Sequence, residues 1–267
     1  MRDVYRQEHA GIRFDWGLSG ALALEADDAA LVVVDVLSFT TAVSVATSRG
    51  MSVIPYRWRD QTAASFAKSK NAALAVGRSE QSTSAPWSLS PAALLVAPLA
   101  ERLVLPSPNG STISALGRGL IIAASLRNSG AVATRLVEAG YGTQERPVIV
   151  VAAGERWTSD DSLRPAVEDM LGAGAVINGL AETRAGELSA ESMIARASYC
   201  STPSLAVALK DCASGRELIA DGYGSDVNVA SDHNSDTVVP VLINGAFCDV
   251  RSVDELRRIG LHQPALS

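Results

Sequence analysis

Four short polar segments, each following an apolar run and leading into a helical pattern, hold the residue types that chemistry needs. In the first, an apolar run ends at Asp35, and Ser38, Thr40 and Thr41 stand where a helix should begin. A carboxylate at the end of a buried strand is costly unless it meets a metal, a substrate or a backbone donor. Capping of the helix by Asp35 or Thr40 answers that requirement equally well. The second segment, Asn109-Gly110-Ser111-Thr112, follows a short apolar run and two prolines. Gly110 permits a tight turn, and free N–H groups beside Ser111 and Thr112 suit an anion such as phosphate. The same pattern is common turn punctuation, and the spacing and lysine of a Walker A loop are absent. The third segment offers Ser125, Arg127 and Asn128, with Arg127 either an anion clamp or a surface arginine. The fourth runs from Gly154 through Asp160 and Asp161 to Glu168 and Asp169 near a helix start. Neighbours on a helix point about 100° apart, so at most one of these two acids is expected to face a core, and both could flank a site at the helix end. Acids in a first turn also simply favour the helix dipole. The small residues Gly172-Ala173-Gly174 should let this helix pack closely on whatever lies beneath it.

Such segments need a scaffold that gathers strand ends. Apolar runs alternate with helical patterns, which predicts an α/β protein: three layers, α/β/α, around a mainly parallel or mixed sheet. Strands are expected at Leu31–Val36, Ser52–Tyr56, Ala73–Val76, Leu94–Val96, Leu103–Leu105, Leu120–Ala124, Val148–Ala152 and Val238–Leu242. Helices are expected at Thr40–Ser48, Thr62–Lys70, Thr112–Leu116, Ala131–Ala139, Pro165–Leu180, Glu191–Tyr199, Leu205–Cys212, Gly215–Ala220, Val227–Ser231 and Val253–Ile259. No linker or repeat divides the chain, so residues 1–267 read as a single domain with about the first 30 residues peripheral. In a parallel α/β sheet, ligands bind outside the carboxyl ends of the strands, where the four segments fall. Arg78–Pro91 is the longest expected irregular stretch, and long loops in compact domains tend to be functional.

Composition narrows the partners. With a formal net charge of −6 over 267 residues, nothing in bulk electrostatics favours nucleic acid or an anionic membrane. The apolar runs are too short to cross a bilayer and the N-terminus lacks a signal core, so a cytoplasmic protein is expected. Whether it forms a homo-oligomer is open. The three cysteines and three histidines are scattered, which argues against a disulfide framework or a zinc cluster and for buried structural thiols. Any metal should then be hard and oxygen-ligated, Mg²⁺ before Zn²⁺. The D-x-D and C-x5-R signatures of familiar phosphatases and the G-x-S-x-G of α/β-hydrolases are missing, and Asp232–Asp236 reads as a polar turn.

Taken in order, the segments resemble the 2-phosphosulfolactate phosphatase family from about Leu31 to about Gly245. The family's D-x-L-R-A-[ST]-[ST] is echoed by Asp35-Val-Leu-Ser-Phe-Thr-Thr41, its T-N-G-T by Pro108-Asn-Gly-Ser111, and its segment ending in asparagine by Ser125-Leu-Arg-Asn128. Its E-D-x-x-x-A-G is matched in full by Glu168-Asp-Met-Leu-Gly-Ala-Gly174, and a segment like Asp226-Val and the run Asp236–Gly245 also look similar. Two positions depart: the family's arginine after D-x-L is Ser38, and its G-E pair falls on Gly77-Arg78, with Glu80 nearby. The resemblance implies a Mg²⁺-dependent hydrolase of a small phosphorylated anionic substrate, phosphosulfolactate in coenzyme M synthesis. Asp35, Glu168 and Asp169 would hold Mg²⁺ or orient a water, with Asn109 the fourth catalytic residue. Thr40, Thr41, Gly110, Ser111, Arg127 and Asn128 would cradle the phosphoryl group, and Ser38 and Arg78 would shape anion recognition. Either water or Asp35 could be the nucleophile. The alternative is an anion-binding homologue, catalytically altered or inactive, with a binding or regulatory role.

Overall fold

Strands buried on both faces have no polar side to show, and the centre of this sheet is built from such runs: Ala30–Val34, Leu120–Ala124 and Val148–Ala152 are buried throughout. The computed structural model describes residues 3–58, 60–115 and 119–262. The chain enters through β1 (Ile12–Trp16), α1 (Gly17–Leu24), β2 (Ala30–Val34), α2 (Phe39–Ser48), β3 (Ser52–Tyr56), α3 (Thr62–Ser69) and β4 (Ala73–Leu74). A loop leads to α4 (Pro91–Val96), β5 (Arg102–Pro106), α5 (Gly110–Ser114), β6 (Leu120–Ala124), α6 (Ser129–Glu138) and β7 (Val148–Ala152). The hairpin β8 (Glu155–Arg156) and β9 (Leu163–Arg164) precedes α7 (Val167–Glu182), α8 (Ala190–Cys200), α9 (Leu205–Asp211), α10 (Ala213–Ala220) and α11 (Gly224–Ser231). Then come β10 (Pro240–Ile243), β11 (Ala246–Asp249) and α12 (Val253–His262).

The nine-stranded sheet runs β1-β7-β2-β6-β10-β11-β3-β5-β4. Two parallel blocks, β1-β7-β2-β6 and β3-β5-β4, are joined through the antiparallel β10–β11 hairpin, so the sheet is mixed. Alternating residues of each central strand feed two cores. Val32, Val34, Ile122 and Val150 pack with α6, α7 and α11, while Leu31, Val33, Ile121 and Val151 pack with α1 and α2. This is the three-layer arrangement that the sequence pattern predicts.

Several local expectations are corrected. Leu94–Val96 is helical, because Ser90 accepts a hydrogen bond from the Ala93 N–H at 3.1 Å and Pro91 starts the turn with φ already set. The strand expected at Ala73–Val76 pairs as a ladder only over Ala73–Leu74. Of the helix expected at Thr112–Leu116, α5 ends at Ser114 and Leu116 lies outside the described residues. Residues 3–30 hold β1, an edge strand paired with β7 along its length, together with α1. Of the three cysteines only Cys212 is buried; Cys200 is exposed and Cys248 half-buried.

Candidate active site

Asp35 sits one residue past β2 and is 6% exposed. Its Oδ1 accepts the Phe39 N–H at 3.0 Å, and its Oδ2 accepts the Gly110 N–H at 3.0 Å. The first bond closes the turn into α2; the second ties that turn to the loop after β5. Only glycine allows this approach, since a Cβ at position 110 would lie 2.8 Å from Asp35 Oδ2 and 2.4 Å from the Phe39 ring.

Glu168 and Asp169 are both buried, at 2% and 3% exposure, in the first turn of α7, where at most one is expected to face a core but both could flank a site. The reason is how deeply α7 is seated. A Cβ on Gly172 would meet Val36 and Val34 at 2.6 and 2.8 Å, so the helix lies against the end of β2 with its first turn among the strand ends. Asp169 then works as a clasp, its Oδ1 accepting the Val36 N–H at 2.7 Å and its Oδ2 the Gly154 N–H at 2.9 Å. It joins the loop after β2 to the loop after β7.

A fourth carboxylate, which sequence reasoning missed, completes the group. Glu155 begins β8, just beyond β7, and its Oε2 accepts a hydrogen bond from Asn109 Nδ2 at 3.1 Å. Burial, followed by the charges of Asp35 and Glu168, raises its pKa to about 7, while Arg164 and Asn109 pull it down. Asp169 is also pushed up, by burial first and then by the Asp35 and Glu168 charges. Asp35, Glu155, Glu168 and Asp169 thus form one electrostatically linked group. Cys212 borders it: burial and then the neighbouring Glu168 push the Cys212 pKa up to about 12, so the thiol, which donates to Leu209 O at 3.2 Å, stays protonated. Glu155 and Asn109 open onto a pocket of about 300 Å³ that is also lined by Thr112, Arg156 and the first turn of α1. That turn has no side-chain cap at Trp16.

Other residues expected at the site have their polar atoms engaged elsewhere. Thr40 Oγ1 bonds the Asp35 backbone at 2.8 Å, Thr41 Oγ1 bonds Val36 O at 2.7 Å, and Ser111 Oγ bonds Tyr56 O and Ser107 O. Each hydroxyl has given its proton to a carbonyl, so none is left as a donor for a phosphoryl oxygen. Arg127 is not the free anion clamp that its position suggested. Its Nε donates to Asp236 at 2.9 Å and its Nη1 to Val229 O at 2.9 Å and Asp232 at 3.3 Å. The stretch read as a polar turn, Asp232–Asp236, is therefore also its counter-charge. Asn128 is fully buried and bonds the Ser125 N–H at 2.8 Å and Val238 O at 3.2 Å, a structural role. Ser38 and Arg78 do meet: Arg78 Nη2 donates to Ser38 Oγ, and Arg78 Nε donates to the buried Asp226 at 2.7 Å.

The donors in the carboxylate group are all hard oxygens, which suits Mg²⁺. Crowding of like charge is also what a divalent cation relieves. Among the described residues no three His, Cys, Asp or Glu side chains converge to hold an ion by themselves. Mg²⁺ is commonly held by one or two carboxylates, with waters and phosphate oxygens completing its shell, so the residues present fit such an ion. Fold and site together define a three-layer α/β protein with a buried carboxylate group at its strand ends. Residues 21–245 match the family model for 2-phosphosulpholactate phosphatase, and the chain belongs to that family. A comparison with curated proteins returns no match. Among the described residues no helix is long and apolar enough to cross a membrane.

Proposed function

We propose that the protein is a Mg²⁺-dependent phosphatase that hydrolyses a small anionic phosphate monoester resembling phosphosulfolactate. The observation that carries this reading is the electrostatically linked group of Asp35, Glu155, Glu168 and Asp169, of which Glu155 lines a pocket of about 300 Å³, in a chain of this family. Asp35 and Glu168 are the carboxylates that would hold Mg²⁺. The bound ion would withdraw charge from the phosphoryl oxygens. Asp169, whose two oxygens accept the Val36 and Gly154 N–H groups, keeps the two loops of the site together. The uncapped first turn of α1 lines the pocket and would supply amide donors for the phosphoryl group, and Arg156, whose Nη1 is held by Asp161 O and Oδ2 at 2.9 Å, would add its remaining N–H groups.

Glu155 is the general base, with a pKa near neutrality and a position fixed by Asn109. Water attacks phosphorus as its proton passes to Glu155, the ester P–O bond breaks, and the alkoxide leaves with a proton from solvent, giving alcohol and inorganic phosphate. Asp35 is less suited to be the nucleophile, because each of its oxygens already accepts a backbone N–H. The rival reading, an anion-binding protein without turnover, draws on the same engagement of Asp35 and Asp169. Phosphate release from small phosphoesters, measured with and without Mg²⁺, separates the two. Turnover that needs Mg²⁺ and drops at least ~10³-fold in Asp35→Asn is expected. A ligand-induced rise in Tm with no phosphate released would favour the rival.

A further inference from the structure

We propose that the alcohol half of the substrate carries an alkyl or similarly apolar group, which packs on a wall built by Trp16, Leu18 and Leu163, with Leu163 as the specificity residue. The inference rests on the phosphatase reading and names the half of the ester that this reading leaves open. Leu163 stands opposite Arg156 in the β8–β9 ladder, so the two side chains leave the hairpin on one face, and both line the pocket of about 300 Å³ beside Glu155. Directly opposed residues lie about 5 Å apart at Cβ, which sets an apolar side chain next to the cation assigned to the phosphoryl group. The wall is closely seated. A Cβ on Gly154 would lie 2.6 Å from Leu163 Cδ1 and 3.6 Å from Trp16 Cε3, and one on Gly17 would lie 3.3 Å from Leu163 Cδ1. Glycines at these two positions, with φ of 67° and 60°, let Leu163 rest across the first turn of α1 and beside the Trp16 ring.

Leu163 is nonetheless 41% exposed and Leu18 is half-buried, so the wall is apolar surface that the protein itself leaves partly uncovered. Most polar groups of the pocket are already engaged. Asn109 holds Glu155, the Thr112 hydroxyl donates to Pro108 O at 2.6 Å, and Arg156 is clipped to Asp161. Arg156 is the cation among the residues that line the pocket, and the carboxylates of Glu155 and Asp161 outnumber it. An added acidic group would meet that charge unpaired, whereas an apolar one would displace water from Leu163 and Leu18. Small-molecule pockets are commonly apolar, with a few polar groups that fix orientation. Phosphosulfolactate carries only acidic substituents on its short chain, so the substrate of this protein matches it at the phosphoryl end and departs from it in the alcohol.

The test uses the full chain with Mg²⁺ and two esters whose alcohols leave about equally well, ethyl phosphate and n-butyl phosphate. Burying one methylene changes an equilibrium about fourfold, so wild type is expected to prefer n-butyl phosphate ~10- to 20-fold in kcat/KM for the extra pair. Leu163→Asn should cut that preference to ~3-fold or less, whatever its effect on the ethyl phosphate rate. No preference in wild type, or the same preference in Leu163→Asn, overturns the proposal and leaves Leu163 a packing residue of the hairpin. If Leu163→Asn does not fold, Leu18→Asn decides by the same ratio. Failure of wild type to release phosphate from either ester counts instead against the phosphatase reading. The rise in Tm given by each ester then tests the wall alone, a larger rise for n-butyl phosphate supporting the proposal and an equal one refuting it.

Discussion

Replacing Arg127 by methionine separates a structural arginine from an anion clamp. In the fold this guanidinium, with 7% of its side chain exposed, ties the loop after β6 to Asp236 and to the end of α11. Asp232, the second acid, is 62% exposed, so its share is screened and adds well under 1 kcal/mol, by the usual ~0.2–1 kcal/mol of exposed pairs. Asp236 is 10% exposed and would keep only the Ser44 hydroxyl, at 2.8 Å, as donor, while Val229 O would lose its guanidinium partner. Breaking a buried pair costs ~3–5 kcal/mol, and the remaining Ser44 bond places this site at the lower end, about 3 kcal/mol. For a chain of this size that lowers Tm by about 6 °C or more. The assay is paired urea denaturation and phosphate release below the transition. Arg127→Met should be destabilised by that amount with kcat/KM within about threefold of wild type, a change of under 1 kcal/mol. A fall of ~30-fold or more in kcat/KM with unchanged stability would refute the structural assignment and return Arg127 to the substrate.

Two further outcomes follow from the packing and from the raised carboxylates. Gly172→Ala should cost ~1–3 kcal/mol in urea denaturation, because the new methyl meets Val36 at 2.6 Å, and it should reduce turnover by displacing Glu168 and Asp169. Metal-free protein should lose stability as pH rises from 4.5 to about 7: Glu155, raised from 4.5 to about 7, binds its proton more tightly folded than unfolded, so its contribution is complete below that window and gone above it. In Tm measurements across the window, Glu155→Gln should gain on wild type as pH rises; a constant difference would contradict the raised pKa.

The sequence pattern carries the central strands and most helices because burial on both faces leaves an unmistakable apolar run. It fails where pairing is decided by partners distant in sequence. The β10–β11 hairpin turns at Asn244-Gly245, with φ of 50° and 82°, a legible turn signal; the shortness of Ala246–Asp249 hides its second strand. Asp35, Gly110, Glu168 and Asp169 are legible as acids and a glycine at strand ends, and the fold brings them together. Glu155 carries the same signal as Asp35, an acid two residues or fewer beyond an apolar run once Gly154 is allowed for, but the more distant Asp160 and Asp161 draw attention from it. That Thr40, Thr41, Ser111, Arg127 and Asn128 are bonded within the protein is not legible in the sequence, for one physical reason. Whether a hydroxyl, amide or guanidinium is free for a ligand depends on which carbonyl or carboxylate the tertiary fold sets beside it.

The most direct measurement is the pH dependence of kcat/KM for a small phosphoester with Mg²⁺ in wild type and Glu155→Gln. The pKa of about 7 belongs to the metal-free site, where burial and then the Asp35 and Glu168 charges raise it; with Mg²⁺ held by those carboxylates the rate should rise tenfold per pH unit up to a value below about 7 and level off above it. The Gln variant should lose that limb and fall ~10²- to 10⁴-fold at the plateau. The same limb in Glu155→Gln, at a rate close to wild type, would contradict the account.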